Sequence, residues 1–283
     1  NSGDIIAIGV SQNDDNSYNS GNTKCYSFNG NSWNQLGQDL YGESEGDYSG
    51  GSVSLSNSGN ILAIGAHPDD IEFGCGGTLL KHIDNGDKVY ILFVSEGVSG
   101  RYDKKDSKKC TVEIKKRQEM AKKAAKHGKF EIIDFLNLDN LQLNNYPHNY
   151  LTNIIYKYFK KYKPDIVYTH YEHDLNIDHY YTFYSTFVAS RPNNDFKIRK
   201  LLSFEIPSST DWGIGNKIFI PNYFVDIKKY KSQKEKLLKF YKHEMRLPPH
   251  SRSIKNLNSL SIFRGGIVGL DYAEAFLVNR IID

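Results

Sequence analysis

Two segments of the chain place histidine and aspartate at spacings that suit a metal ion. In the first, His67 and Asp70 offer an imidazole and a carboxylate three residues apart, directly after an apolar run at 61–64. Zinc uses both kinds of ligand in proteins, and Asp69 between them can face a water molecule at the same metal. Because a surface loop with a helix-capping aspartate has the same spacing, this segment needs support from elsewhere in the chain.

The second segment, residues 169–179, contains three histidines and two aspartates and also follows an apolar run. A catalytic zinc typically takes three protein ligands and leaves one position for water. His67, Asp70 and one histidine of the second segment can therefore complete a site. Asp178 can orient a neighbouring histidine or cap the helix that follows.

The elements that must position these residues alternate along the chain from residue 60 onward. Apolar runs predict strands, and amphipathic stretches between them predict helices. The predicted strands are 61–64, 88–94, 130–135 and 165–168, and the predicted helices are 76–85, 111–127 and 150–162. This alternation predicts an α/β fold with a mainly parallel sheet and helices on both faces. Ligands of such sheets bind outside the carboxyl ends of the strands, where both histidine segments stand.

The first part of the chain has a different composition. The first 66 residues contain seven acidic groups and only Lys24 as a basic one, whereas all nine histidines come later. The octapeptide at 2–9 returns at 58–65 with six identical residues, and short strand-like runs such as 52–55 lie between the copies. This pattern is typical of a stacked β repeat. We expect a small β-repeat domain over 1–59 and an α/β domain over 60–283.

Composition excludes several classes of protein. The net charge of +3 is too small to indicate a nucleic-acid binder, and no run approaches the roughly 18 apolar residues that a membrane span needs. The three cysteines, Cys25, Cys75 and Cys110, form no CxxC pair, which favours a reducing, cytoplasmic location over a disulfide framework. Because the chain begins with Asn1 instead of Met, we interpret it as a fragment or a processed product. A small-molecule or glycan-conjugate substrate is the expected partner, and the sequence gives no oligomeric state.

Two resemblances to known families extend this interpretation. Residues 33–37 (WNQLG) and 47–50 (DYSG) make the N-terminal stretch similar to one blade of an FG-GAP-like β-propeller repeat. The rest of the chain resembles the PIG-L/LmbE-like zinc-dependent deacetylases. The motifs that carry this second resemblance are 67–72 (HPDDIE), Gly76-Gly77, 174–179 (DLNIDH), Arg264-Gly265 and 272–276 (YAEAF). It implies a Rossmann-like fold and removal of acetyl groups from N-acetylglucosamine-containing compounds or related amides.

The second resemblance also implies roles for individual residues. Its zinc ligands correspond to His67, Asp70 and His179, and Asp69 corresponds to the general base. Another divalent metal, such as iron or cobalt, suits the same ligands. Many members of the family have a histidine at the position of Asn176, which cannot supply a proton but can hydrogen-bond an oxyanion.

The proton for the leaving amine must then come from Asp69 itself or from a histidine such as His250, with His170 and His173 as further candidates. Arg101 lies in a glycine-flanked loop where its guanidinium can bind sugar hydroxyls or a phosphate. An arginine common in the family falls at Lys116, with Arg117 adjacent.

The leading hypothesis is a zinc-dependent hydrolase that removes an acetyl group from an N-acetylated amino sugar or its conjugate. Two alternatives remain open. One is an amidase that acts on a larger acyl or thiol-conjugate amide. The other is a non-catalytic glycan-binding or surface-binding protein with a degenerate metal site.

Overall fold

The computed structural model describes residues 5–53, 59–103, 107–213, 215 and 217–282. The chain divides into two compact units, residues 1–57 and residues 58–283. Each unit has a sheet of its own.

The N-terminal unit contains a four-stranded antiparallel sheet. Its strands are β1 (Ile5–Val10), β2 (Asn22–Phe28), β3 (Trp33–Gln35) and β4 (Leu40–Tyr41). All three of the other strands pair with β2. A strand was predicted at 52–55. Residues 52 and 53 are not part of a strand, and residues 54 and 55 lie outside the described residues. The assignment of this sheet to a propeller blade stays a prediction.

The second unit alternates strands and helices. Its elements, in chain order, are β5 (Asn60–Gly65), α1 (Asp70–Asp84), β6 (Lys88–Ser95), α2 (Lys108–Gly128), β7 (Glu131–Leu138), α3 (His148–Tyr162), β8 (Ile166–His170), α4 (Ile177–Ala189), β9 (Lys200–Phe204), β10 (Tyr223–Asp226), α5 (Lys231–Lys239), α6 (Ile254–Gly266) and β11 (Ala273–Ile281). The predicted strands and helices of this unit are therefore present.

Seven strands form one sheet in the order β10-β11-β9-β8-β5-β6-β7. The five strands from β9 to β7 are parallel, and β10 and β11 add antiparallel pairs at one side. The first strand of this sheet along the chain is β5. The next two strands, β6 and β7, lie on one side of β5, and β8 lies on its other side. Strand order reverses between β5 and β8, which is where ligands bind in open α/β sheets.

The sheet is covered on both faces because its central strands are apolar on both sides. Ile61 and Ala63 of β5 pack into the core that contains α1, α2, α5 and α6. Leu62 and Ile64, which point the other way, pack into the core that contains α3 and α4. The mainly parallel sheet with helices on both faces is thus confirmed.

The two copies of the repeated octapeptide form strands in different sheets. The first copy gives β1, which pairs antiparallel with β2 and is largely exposed. The second gives β5, which is paired in parallel on both sides and almost fully buried. Near-identical local sequence therefore does not fix the type of sheet.

Helix α1 begins six residues earlier than the prediction of 76–85. The helix therefore includes Gly74 and Cys75 in addition to the predicted Gly76 and Gly77, and it has a kink at Cys75. Glu274 of β11 accepts hydrogen bonds from the backbone N–H groups of Gly77 and Thr78, at 2.8 and 2.6 Å, and so satisfies donors at the kink.

No helix in the described part of the chain is both long and apolar enough to cross a bilayer.

Candidate active site

The candidate site lies where the loops after β5 and β8 meet. The loop after β5 carries His67, and Asp70 is the first residue of α1. The loop after β8 leads into α4, which carries His179 in its first turn. These strands are neighbours, so residues more than 100 positions apart come together at one edge of the sheet.

His67, Asp70 and His179, here called the metal triad, offer ligand atoms that all lie within 4.8 Å of one another. The Nδ1 atom of His67 is 3.2 Å from Oδ2 of Asp70. The Nε2 atom of His179 is 3.3 Å from each of those two atoms. All three side chains are buried.

In each histidine of the metal triad, the ring nitrogen that points away from the other triad residues lies beside a carboxylate. The Nε2 atom of His67 is 3.0 Å from Oδ2 of Asp178, and the Nδ1 atom of His179 is 3.1 Å from Oδ1 of Asp174. Histidines that bind metals commonly use their second nitrogen in this way, which fixes the ring and aims the other nitrogen at the ion. Asp178 thus contacts a histidine, as the sequence predicts, but the histidine is His67 and not its chain neighbour.

The electrostatics of the metal triad favour a cation. Burial by itself lowers the pKa of His179, but the carboxylates of Asp174 and Asp70 outweigh burial and raise that pKa to about 10. Burial raises the pKa of Asp70, but His179 and His67 outweigh this effect and hold it well below its ordinary value. Asp70, Asp174 and Asp178 surround two imidazoles, so the excess charge is negative and either protons or a metal ion can balance it.

The residues present fit a divalent metal. Two imidazole nitrogens and one carboxylate make three protein ligands, which is the number that catalytic zinc sites use. The Oδ1 atom of Asp70 is buried and has no hydrogen-bond partner among the described residues. A buried carboxylate oxygen without a donor costs free energy, and coordination of a metal would remove that cost.

Asp69 contacts arginines, in contrast to Asp70 beside it. Its Oδ1 atom accepts a hydrogen bond of 2.8 Å from Arg117, and its Oδ2 atom accepts one of 3.3 Å from Arg252. Arg117 also donates to Oε1 of Glu244 at 2.6 Å. Burial raises the pKa of Asp69, and the charge of Arg117 opposes that rise. Asp69, Arg117, Glu244 and Arg252 are called the arginine cluster below.

His170 supports the site from within the core. Its ring stacks on that of His179 with the centroids 3.9 Å apart, and its Nε2 atom accepts a hydrogen bond of 2.8 Å from the Ala66 N–H. Burial and the neighbouring His179 lower the pKa of His170 to about 4. His170 is therefore neutral at pH 7. His173 is partly exposed and lies 3.3 Å from a carboxylate oxygen of Glu172.

Three other residues singled out in the sequence lie around the site. His250 is exposed, and its Nδ1 atom accepts a hydrogen bond from the backbone N–H of Arg252. Arg252, two residues further along the same loop, donates a hydrogen bond to Asp69. Asn176 caps α4 by accepting a hydrogen bond of 2.9 Å from the Asp178 N–H.

Arg101 joins the edge of the arginine cluster. Its Nη2 atom donates to both carboxylate oxygens of Glu244, at 3.1 Å each. Its side chain is 49% exposed, so its guanidinium still reaches solvent.

Most of the arginine cluster was not predicted from the sequence. Glu244 and Arg252 were not among the expected site residues, and Arg117 stood only as the neighbour of Lys116, the expected arginine position. The structure buries Arg117 and exposes Lys116. The sequence did contain an indication that Arg117 is buried. Arg117 precedes Ala121 and Ala124 by four and seven residues, which is the spacing of one helix face, and both alanines are buried.

Solved structures of low identity share this fold. The 4-carboxy-2-hydroxymuconate hydratase GalB of Pseudomonas putida KT2440 aligns with a TM-score of 0.64 and 17% identity, covering 80% of this chain and 98% of its own. The N,N'-diacetylchitobiose deacetylase of Pyrococcus horikoshii aligns with a TM-score of 0.61 and 21% identity, covering 77% of this chain and 83% of its own. Proteins with these different activities share one architecture, so function must be argued from the site.

Sequence comparison identifies the family. Residues 62–190 match the family model described as PIG-L: GlcNAc-PI de-N-acetylase. The uncharacterized deacetylase YaiS of Escherichia coli strain K12 is 31% identical over an alignment of 184 residues, and the alignment covers 62% of this chain and 85% of that relative. The metal triad lies within the matched residues, and the chain belongs to the PIG-L family of deacetylases.

Proposed function

We propose that the chain is a zinc-dependent hydrolase that removes the acetyl group from an N-acetylated amino sugar or its conjugate. One observation carries the proposal: the metal triad lies beside Asp69, a buried carboxylate that is bound to arginines and not to the triad. Membership of the PIG-L family, with a deacetylase among its relatives, supports the same reaction.

His67, Asp70 and His179 would hold the metal, with Asp178 and Asp174 orienting the two imidazoles. When bound, a divalent metal polarises an amide carbonyl and lowers the pKa of a water molecule. The finer assignment to zinc is supported by the two imidazoles and one carboxylate, although iron and cobalt use the same donors.

Asp69 is the proposed general base. Arg117 and Arg252 each bind one of its two carboxylate oxygens, so its orientation is set before substrate arrives. Removal of a proton from the attacking water would leave Asp69 protonated, and its burial stabilises that neutral form. The same carboxyl can then return the proton to the nitrogen of the departing amine.

Other residues are assigned supporting roles. Asn176 is proposed to donate a hydrogen bond from its amide to a substrate oxygen. This role replaces proton transfer, because an amide carries no ionisable group. Arg101 is proposed to contact the sugar, since part of its guanidinium faces solvent. His250 remains a second candidate for the acid that protonates the amine.

Release of primary amine from N-acetylglucosamine and a panel of its conjugates tests the proposal. Zinc-loaded protein, chelated protein and the Asp69→Asn variant are compared side by side. We expect amine only from the zinc-loaded wild type, with the panel ranking the substrates. Amides with larger acyl groups are added to the panel, and if amine is released only from these, the chain is an amidase of a different substrate class. If zinc binds and no amide is cleaved, the chain is a binding protein.

A further inference from the structure

Glu96 is a buried carboxylate that the reaction described so far does not use. It directly follows β6 and is 2% exposed. Its Oε2 atom accepts hydrogen bonds from the backbone N–H groups of Val98 and Ser99, at 2.6 and 2.9 Å. Its Oε1 atom accepts one from the Ser99 hydroxyl and one of 3.0 Å from the Asn140 N–H. A carboxylate removed from water needs such donors, so Glu96 and the segments that supply them depend on one another.

The donors belong to two loops that follow neighbouring strands of the sheet. Three of them lie in the loop after β6, and Asn140 lies in the loop after β7. The loops are in close contact, because a Cβ atom added at Gly100 would come within 2.8 Å of the Asn140 side chain and 3.0 Å of the Leu141 side chain. Glu96 therefore holds the backbone of the second loop against the first.

The loop after β7 reaches the metal triad through Asp178. The backbone N–H of Leu141 donates a hydrogen bond of 2.7 Å to Oδ2 of Asp178, and the N–H of Leu143 donates one of 3.3 Å to Oδ1. The same Oδ2 atom lies 3.0 Å from Nε2 of His67. The position of this loop therefore helps to set the orientation of the carboxylate that orients His67.

Leu141 has a backbone conformation that depends on its surroundings. Its φ of 58° lies in the left-handed region, which a leucine rarely adopts. Such a conformation persists only where neighbouring contacts hold it. The hydrogen bond from the Asn140 N–H to Glu96 precedes Leu141 in the chain, and the one from the Leu143 N–H to Asp178 follows it. The two carboxylates thus hold the loop on both sides of Leu141.

We infer that Glu96 is a positioning residue of the active site, which holds the loop after β7 so that Asp178 keeps the imidazole of His67 aimed at the metal. This inference rests on the proposed function, because it concerns the metal site that the function requires. In the described part of the chain, the carboxylate hydrogen bonds of Glu96 go to the two loops and not to the metal triad. Its effect on the triad therefore passes through Asp178.

The zinc affinity of Glu96→Gln tests the inference. Glutamine has the size of glutamate, but its NH2 group cannot accept a hydrogen bond, so it cannot serve the donors at both Oε1 and Oε2. Competition with a zinc chelator should show an affinity about three- to tenfold below that of the wild type. The loss is smaller than the 10–100-fold typical of a group that contacts a metal ligand directly, because Glu96 lies one contact further away. An unchanged affinity would overturn the inference.

Glu274→Gln is the matched control for the loss of a buried carboxylate. Glu274 is 4% exposed and accepts two backbone hydrogen bonds at the kink of α1, away from the two loops. Both variants should unfold at lower urea concentration than the wild type, and only Glu96→Gln should bind zinc more weakly. An equal loss of zinc affinity in Glu274→Gln would overturn the inference, because general destabilisation would then explain both results.

A double variant tests whether Glu96 acts through Asp178. Asp178→Ala removes the acceptor for Leu141, and we combine it with Glu96→Gln. The double variant should bind zinc no more weakly than Asp178→Ala alone, since the two residues belong to one chain of contacts. Additive losses would overturn the inference. If Glu96→Gln does not fold, Ser99→Ala replaces it, because the Ser99 hydroxyl joins Glu96 to the Asn140 N–H and its loss should act in the same direction.

These measurements use no substrate, so they separate the inference from the proposed function. Weaker zinc binding by Glu96→Gln, together with no amide cleavage by the zinc-loaded wild type, would support the inference and contradict the proposed function. Amide cleavage by the wild type, together with unchanged zinc affinity in Glu96→Gln, would support the proposed function and overturn the inference.

Discussion

Asp69 and Asp70 are neighbours in the chain, equally buried, and yet lie in opposite electrostatic surroundings. Asp70 faces the imidazoles of the metal triad, which hold its pKa well below the ordinary value in spite of its burial. Asp69 faces the guanidinium groups of the arginine cluster, and its pKa stays raised because burial outweighs them. Two acids of the same type thus become suited to different work, one to hold a cation and the other to exchange a proton.

The two clusters also differ in how they are stabilised. The three carboxylates of Asp70, Asp174 and Asp178 outnumber the two imidazoles of the metal triad, so the site is incomplete without protons or a metal. In the arginine cluster, Arg117 and Arg252 balance Asp69 and Glu244 within the protein itself. We therefore expect the metal triad to respond to metal removal and the arginine cluster to respond to loss of a single charge.

The largest expected effect separates the two aspartates. Asp69→Asn should lower kcat by about 10²–10⁴-fold, because a neutral amide cannot accept the proton, while zinc content stays at the wild-type level. Asp70→Asn should lose zinc affinity by more than about 100-fold, since it removes a ligand and not an outer contact. Metal analysis of both purified variants and steady-state amine release check this. Equal zinc loss in both would remove the distinction between the acids.

The second effect concerns the stability of the arginine cluster. Arg117→Met should lower the free energy of unfolding by about 3–5 kcal/mol, because it leaves the buried carboxylates of Asp69 and Glu244 without their shared partner. Lys116→Met, on the exposed face of the same helix, is the matched control and should change stability by less than about 0.5 kcal/mol. Urea unfolding of the metal-free variants measures both, and similar values for the two would show that Arg117 is not a structural link.

A smaller effect tests the carboxylates behind the triad. Asp178→Asn should weaken zinc binding by about 10–100-fold, because the amide orients His67 less firmly than a carboxylate does. Asp87→Asn provides the control, since Asp87 makes a similar contact of 2.6 Å with His82 outside the candidate site. Competition with a zinc chelator gives both affinities. An unchanged affinity in Asp178→Asn would mean that the ring of His67 is fixed by packing alone.

The smallest effect is expected at the exposed edge of the arginine cluster. Arg101 contacts the same carboxylate as Arg117, but its half-exposed guanidinium remains solvated, so Arg101→Ala should cost at most about 1 kcal/mol of stability. The same urea unfolding experiment measures it. A loss as large as that of Arg117→Met would mean that solvent exposure does not distinguish the two arginines. A rise in KM at constant kcat would add the substrate contact proposed for Arg101.

The sequence predicted the α/β unit well because local rules dominate there. Apolar runs such as Ile61–Ile64 gave strands, and amphipathic stretches gave helices, with errors mainly at the ends. The start of α1 was predicted at residue 76, six residues too late. In the structure Gly74 lies in the helix against Phe204, where a Cβ atom would come within 2.3 Å of the ring, and Glu274 accepts hydrogen bonds from the backbone at the kink.

The sequence by itself determined the residue types of the metal triad and the edge of the sheet where they stand, because short motifs directly follow two strands. Only the tertiary structure decided which carboxylate orients which histidine and which arginine reaches Asp69. Asp174 and His179 are five positions apart, but the contact of Asp178 with His67 and the contacts of Asp69 with Arg117 and Arg252 join residues 48 to 183 positions apart. A charged side chain is buried only where a partner meets it, and that partner is set by the packing of helices and loops from distant parts of the chain.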